Sequence, residues 1–477
     1  MKYTIWLAGL LSVTMLAACN KDFLEVEPKG KLIAKKTDDY NLLLNNLDLL
    51  NVTADTQIPM GDEVAAVEPW LSGAPLRTQR LFKWADDIYE PNENNPEVID
   101  FMKQVYVYNK VINEVMSSTN GTEQQKRGLK AEALVGRAWC YFMMVNYFGK
   151  PYHPATAATD PGCPISTQSD VTQRQFTRAT VQEVYDLVLH DLQTALPDLP
   201  EKVYWRMRMS KTAGEALLGK VYLTMGRFPE ALEQLNNAFT HLQGASIPVR
   251  LYDYNVEFAT GGVFLPIGAL GPASPAPDAI TEYVFVKNTV NYWAFTNSEL
   301  VITPETRALY HNQDLRLKLF TAAPFSGGAY GVPGVLRRIG MPGIAVNTGI
   351  TLPDMILMRA ECKARANDPD GARADLEMLR ARRMPAAVAV VPAGMTQAQL
   401  IDYVINGERV REFAMTGSRW FDMRRMSVDP LFSQKVYTHR IYPATGAPQE
   451  LTLKQERFTI RYSRLTMDLN PGMTNNP

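Results

Sequence analysis

The chain is poor in the groups that carry most enzyme chemistry. Its 477 residues include only five histidines and four cysteines. No His-Glu-x-x-His pair for a catalytic zinc, no Gly-x-Ser-x-Gly turn presenting a nucleophile and no Gly-Lys-Ser/Thr loop to cradle phosphates occurs. His153, His190, His241, His311 and His439 lie far apart, so a metal centre would need the fold to gather them. Neither a metal nor another cofactor is expected. An excess of one charge is missing too: Lys plus Arg number 49 against 50 Asp plus Glu, a formal net charge of −1. Phosphate backbones need a basic surface, which excludes nucleic acid as a partner. Beyond the N-terminus no apolar run approaches the roughly 20 residues of a spanning helix.

What the N-terminus does have is an export signal. Lys2 precedes an apolar run over residues 5–16 that is too short to cross a bilayer and ends in Leu16-Ala17-Ala18-Cys19. This is the shape of a lipoprotein processing site, with small residues before the cut and the Cys19 thiol as the nucleophile that takes up a diacylglyceryl group. Residues 1–18 are expected to be removed and residues 19–36 to form an extended tether. Acyl chains contribute about 0.8 kcal/mol per buried methylene, so two or three chains anchor a protein without any helix in the membrane. Cys140, Cys163 and Cys362 then remain, leaving room for at most one disulfide. Cys140 and Cys362 fall in helical patterns and are expected to pack as small hydrophobes.

From residue 37 onward helical periodicity dominates, which predicts a mainly α fold in a single domain over 37–477. Long helices are expected over 95–118 and 121–148. Thr180 with Glu183, and Thr396 with Gln399, spell capping boxes ahead of apolar faces. Leu218-Gly219, Tyr222, Gly226, Phe228, Ala231 and Ala238 follow the tetratricopeptide pattern, with small residues where two antiparallel helices cross. Residues 357–379 repeat it, although Lys363 occupies the tyrosine position. Two excursions interrupt this rhythm. Residues 57–94 are rich in Pro, Gly, Trp and acidic groups, and residues 243–347 mix Gly and Pro with strand-like runs at Val263-Phe264-Leu265 and Tyr283-Val284-Phe285-Val286. Long irregular excursions from a regular scaffold are usually functional.

The segment from Glu408 to Arg425 interleaves Glu408 and Glu412 with Arg409, Arg411, Arg419, Arg424 and Arg425. Carboxylates one helical turn apart suit acid–base work only if one stays protonated, whereas neighbouring guanidiniums keep both ionised. A structural charge network is therefore expected, with Gly417 as the left-handed residue between two helices. This segment closely resembles the Glu-Arg-Arg-x-Glu-Leu-Ala-Phe-Glu-Gly-x-Arg-Trp-x-Asp-Leu-x-Arg signature of the SusD/RagB family of outer-membrane nutrient-binding lipoproteins. Val410 and Thr416 depart from it, replacing an arginine and a glutamate. Other family marks follow in order: Phe23-Leu24-Glu25-Val26-Glu27-Pro28, Phe148-Gly149-Lys150-Pro151, Asp191-Leu192 with Ala195 and Leu199-Pro200, Asp314-x-Arg316, and Asn-Pro at 470–471 and 476–477. Lys21-Asp22 is similar to the family's surface-export signal.

The resemblance implies a SusD-like scaffold of four tetratricopeptide-like pairs with a ligand surface on the excursions. It implies glycan ligands, or peptides in one branch, and a TonB-dependent SusC-like transporter as partner at the cell outer membrane. Sugar rings stack their C–H faces on Trp and Tyr. Trp139 and Trp420 fall in helical or signature positions and are expected in the core. That leaves Trp70, Trp84, Tyr89, Tyr292 and Trp293 as candidate platform rings, with Trp205 a weaker one. Asp62, Arg80, Asp86, Asp87, Asn92, Asn291 and Asn297 are the nearby hydrogen bonders. Trp84 and Trp293 are the leading candidates, and packing beneath the loops is the competing expectation for each ring. A peptide receptor, a surface glycoside hydrolase needing two carboxylates about 5–9.5 Å apart, and a plain scaffold are the alternatives.

Overall fold

The computed structural model describes residues 34–477, except 171, 173–174, 269–270, 274, 290–296 and 341–344. Cys19, the tether motif, Asn291, Tyr292 and Trp293 lie outside the described residues. The scaffold is helical: α1 (Thr37–Leu44), α2 (Pro96–Glu114), α3 (Glu123–Phe148), α4 (Val181–Ala195), α5 (Lys211–Thr224), α6 (Phe228–Leu242), α7 (Leu352–Arg365), α8 (Pro369–Arg380), α9 (Arg409–Phe413) and α10 (Ser418–Met426). Neighbours in sequence pack in space, α2 on α3, α3 on α4, α5 on α6 and α7 on α8, with α6 also meeting α7. The helix starts follow the sequence signals. Thr180 accepts a hydrogen bond from the Glu183 amide at the head of α4, and Thr396 accepts one from Gln399 at the head of helix Gln397–Asp402.

The tetratricopeptide spelling has a steric basis here. A Cβ on Gly219 of α5 would lie 2.9 Å from Leu235 Cγ of α6, so only glycine allows this crossing. In α7 the alanine at the equivalent place, Ala360, is fully buried, and Lys363 replaces the tyrosine by reaching Asp375 of α8 at 2.8 Å. Elsewhere α2, α3 and α4 are joined by Arg137, which chelates Asp191 through two 2.8 Å hydrogen bonds and donates to Asn109. The C-terminus is pinned in the same way: the Asn476 amide donates to the carbonyls of Phe148 and Ile460.

The two excursions and a C-terminal hairpin together build the main sheet. β1 (Val64–Val67), β2 (Leu300–Ile302), β3 (Thr438–Tyr442) and β4 (Gln449–Thr452) form one sheet in the order β4-β3-β1-β2. β3 runs parallel to β1, and the other pairings are antiparallel. Side chains alternate between faces along a strand. Val64, Ala66, Leu300, Ile302 and Ile441 therefore enter one hydrophobic core, while Ala65, Val67 and Val301 form a second cluster on the opposite face with Tyr330 and Val335.

One strand expectation changes. Val263-Phe264-Leu265 is not a strand: with Gly261-Gly262 before it and Pro266, which has no N–H for a ladder, after it, the segment turns. Phe264 instead fills an aromatic cluster with Tyr252, Tyr254 and Phe258. Cys140, Cys163 and Cys362 are all free and buried, and burial pushes the Cys140 and Cys163 thiols up to about 12.

Candidate functional site

The outer face of the four-stranded sheet gathers aromatic side chains. Trp70 starts the one-turn helix Trp70–Gly73 directly after β1. Its ring meets Tyr330 edge-on at 5.2 Å, and its indole N–H donates to Ser326 Oγ at 3.4 Å. Tyr330 is the buried base of the cluster, its hydroxyl donating to the Ser298 carbonyl at 2.8 Å. Ser298 also accepts from the Phe325 amide through its own hydroxyl. Phe325 is 47% exposed, with the Arg337 guanidinium 5.6 Å from its ring centre. Tyr442 at the end of β3 is half-buried against the same cluster.

The loop that brings Phe325 and Tyr330 here contains Gly327, Gly328 and Gly334, all at φ between +82° and +85°. That backbone region is open to glycine at little cost. The result is a partly exposed strip in which Trp70 and Tyr442 pack against the fixed Tyr330, with Phe325 exposed on the adjoining loop beside Ser326. Rings held this way can stack on the C–H face of a sugar, because the loop is already ordered by hydrogen bonds to Ser298. Phe325, Tyr330 and Tyr442 are absent from the sequence expectations. Aromatics flanking the Ser326-Gly327-Gly328 turn were the available signal.

The other expected residues are placed differently. Trp84 is in the core, only 5% exposed; its indole donates to the Met60 carbonyl at 3.1 Å and its face is covered by His439. Tyr89 is also buried, its hydroxyl donating to Glu97. Neither ring offers a free face, so packing beneath the loop, not ligand stacking, describes both. Asp62 is occupied by Arg419 and Lys435. Arg80 pairs with Glu90, Asp86 with Arg457 and Asp87 with Arg461. Asn92 is exposed and Trp205 half-buried. Asn297 is buried and accepts from the Leu300 amide, holding the start of β2. Trp139 and Trp420 are core residues.

The charged signature forms a buried lattice. Arg316 grips Asp314 two residues before it and reaches Glu408 at 2.8 Å and Glu412 at 2.9 Å. Arg380 and Arg411 also hold Glu408, and Arg383 holds Glu412 and Glu282. Burial alone would raise these carboxylates, but Arg316 and its neighbours outweigh it and keep Glu408 well below the carboxylate range. Groups so firmly ionised cannot deliver a proton at neutral pH.

A helical scaffold of tetratricopeptide-like pairs, carrying loops that assemble an aromatic strip, defines a loop-decorated binding fold. A family model described as starch-binding associating with outer membrane matches residues 22–223, and the SusD family model matches residues 350–477. The chain belongs to the SusD/RagB family. It is 23% identical over 382 residues to SusD-like protein P2 of Formosa agariphila, covering 70% of this chain and 73% of that one. Its fold is similar to that of a SusD superfamily protein from Bacteroides thetaiotaomicron, with a TM-score of 0.70 at 18% identity over 93% of this chain and 100% of the other. A laminarin-binding SusD-like protein aligns with a TM-score of 0.61 at 17% identity over 93% and 99% of the two chains.

Proposed function

We propose that this protein is a non-enzymatic glycan receptor, displayed at the outer membrane, that captures oligosaccharide and passes it to a TonB-dependent SusC-like transporter. The observation that carries the binding role is the strip of Trp70 and Tyr442 over Tyr330, with Phe325 on the adjoining loop. Ring faces supply apolar contact to the sugar, and hydroxyls and guanidiniums at its edge supply orientation. Tyr292 and Trp293 lie outside the described residues, and their candidacy rests on the sequence, where they stand a few residues before Ser298. We retain Trp293 and Tyr292 as contributors. Laminarin binding by a relative of the same fold supports a glycan over a peptide as ligand.

Delivery and anchoring rest on family membership and on the N-terminal sequence. Residues 1–18 act as the signal peptide, Cys19 carries the lipid, residues 19–36 form the tether and residues 37–477 the binding domain. No helix among the described residues is long and apolar enough to cross a membrane, which fits attachment through acyl chains. Calorimetry of the chain against panels of oligosaccharides and of peptides tests the ligand class. Binding to a glycan, weakened in Trp70→Ala, is the expected result; binding to peptides alone would overturn it. Capture of a large outer-membrane β-barrel from mild detergent extracts tests the partner, and Cys19→Ala should carry no labelled fatty acid.

A further inference from the structure

Three stretches of chain build the aromatic strip: residues 69–76 with Trp70, residues 319–336 with Phe325 and Tyr330, and residues 441–449 with Tyr442. Charged residues make up 21% of the sequence, yet none falls in any of the three. The polar side chains they expose are Ser72, Ser326, Thr445 and Gln449, all neutral. Hydroxyls and amides both donate and accept, as sugar hydroxyls do. A carboxylate on the ligand needs more. It must meet a guanidinium or ammonium that is free to take it, because a charge desolvated without a partner is costly.

The cations that flank these stretches are engaged elsewhere. Arg77 is held by Asp55 and Glu97. Lys318 lies against Phe258, which belongs to the core on the inner face of the sheet. Arg337 is 4% exposed and donates to the Ala323 carbonyl at 2.8 Å. Arg440 does stand on the outer face, since alternation along β3 puts it on the same side as Tyr442. It is bracketed by Glu305 at 2.5 Å and Glu450 at 3.1 Å. Both carboxylates remain largely exposed, at 65% and 60%. The open charge at this edge of the strip is therefore negative, one guanidinium against two carboxylates.

We propose, on the receptor reading above, that the strip selects uncharged glycans and that Glu305 and Glu450 turn away oligosaccharides of uronic acids. A neutral sugar chain lays only C–H faces and hydroxyls on the rings. A uronate chain brings a carboxylate with every sugar, toward Glu305 and Glu450 and with Arg440 already taken. Like charges brought together in this way select against the wrong ligand.

The test is calorimetry of the full chain in mild detergent against two panels of matched length. One holds neutral laminari-, malto-, xylo- and manno-oligosaccharides, the other oligogalacturonate and oligomannuronate. At about 20 mM sodium chloride a neutral oligosaccharide should bind about tenfold or more tightly than either uronate. Its affinity should hold to within about twofold up to about 500 mM salt. Glu305→Gln together with Glu450→Gln frees Arg440, so the uronates should gain about threefold or more on the neutral ligand, a gain that salt removes. A uronate bound as tightly as the best neutral ligand, a neutral affinity that falls with salt, or an unchanged preference in the double variant would each overturn the proposal. Binding of no oligosaccharide from either panel would overturn the receptor reading along with it.

Discussion

The imidazole of His439 lies flat against the indole of Trp84, with ring centres 3.7 Å apart and planes inclined by 17°. Phe82 covers the imidazole as well, at 4.3 Å. The two ring nitrogens of His439 are each 2.7 Å from a carbonyl oxygen, of Phe82 and of Gly61. One stack thereby joins the middle of β3, the residues leading into β1 and the end of helix Leu76–Phe82. It fixes the sheet whose outer face carries Trp70.

Trp84→Ala should therefore act on stability. Removing a buried indole leaves a cavity and exposes His439 on one side, at a cost of about 3–5 kcal/mol. The melting temperature should fall by several degrees while glycan affinity per folded molecule stays at the parent value. Melts paired with calorimetry decide it, and an unchanged melt with weakened binding would return Trp84 to the ligand surface.

Glu412→Gln should likewise destabilise without touching recognition. Burial would raise this carboxyl, but Arg383 and Arg316 outweigh that and hold it below the usual range. Taking away the charge leaves two buried guanidiniums short of a partner, a change that typically costs about 3–5 kcal/mol. Denaturant unfolding measures the loss. Unaltered stability with altered ligand affinity would contradict a structural role for the signature.

The pH dependence divides by sign. Asp354 and Glu361 are held down to about 2: burial opposes it, but Lys220 and Arg409 around Asp354, and Arg425 and Arg365 around Glu361, prevail. Their stabilisation is complete above the ordinary carboxylate range and is lost as pH falls through it toward 2. Glu63 runs the other way. Burial, and Asp62 beside it, push it up to about 7, so its contribution is full below 4.5 and lost as pH rises through 7. Glu63→Gln keeps an acceptor for the Met415 amide and cannot ionise. Relative to the parent it should gain stability at pH 8, and the gain should shrink toward zero near pH 4.5. Melts at the two pH values check this; a constant difference between them would show that Glu63 does not titrate on folding.

The helices were legible because their information is local. Capping boxes lie within one turn of chain, apolar faces within a single helix, and the Gly219 crossing within one helical hairpin. The signature lattice was legible in kind, since alternating arginines and glutamates announce ion pairs, but Arg316 and Glu408 meet only through the fold. The sheet was not legible. Its strands hold three to five residues each and come from places as distant as Val64 and Thr452, too short for alternation to show against the background. Trp84 misled because acidic residues and turns surround it, yet its backbone at φ 48° places the ring under Met60. Trp70 was among the expected rings, whereas Tyr330, which it meets edge-on, and the nearby Phe325 and Tyr442 were not. Contact between residues so far apart along the chain is a tertiary fact, and only the glycine-rich loop hinted at it.

The strip itself gives the most direct test of function. Trp70 makes one edge contact with Tyr330 and one long hydrogen bond to Ser326, and Phe325 is nearly half exposed, so neither side chain anchors much of the core. Trp70→Ala and Phe325→Ala should each leave the melting temperature within a few degrees of the parent. For a ring at the centre of a binding surface, truncation typically costs about 2 kcal/mol, roughly thirtyfold in affinity. Tyr330→Phe separates the platform from its support: it removes the hydroxyl that holds the Ser298 carbonyl but keeps the ring. Its effect should be smaller, about 1 kcal/mol, and should appear in stability as well as binding, because the loop that presents Phe325 loses a tie. Calorimetry with laminarin oligosaccharides and other glycans, beside thermal melts of all three variants, separates these outcomes. If Trp70→Ala and Phe325→Ala bind a glycan ligand as tightly as the parent, recognition lies elsewhere on the excursions and the strip is only the outer edge of the sheet's packing.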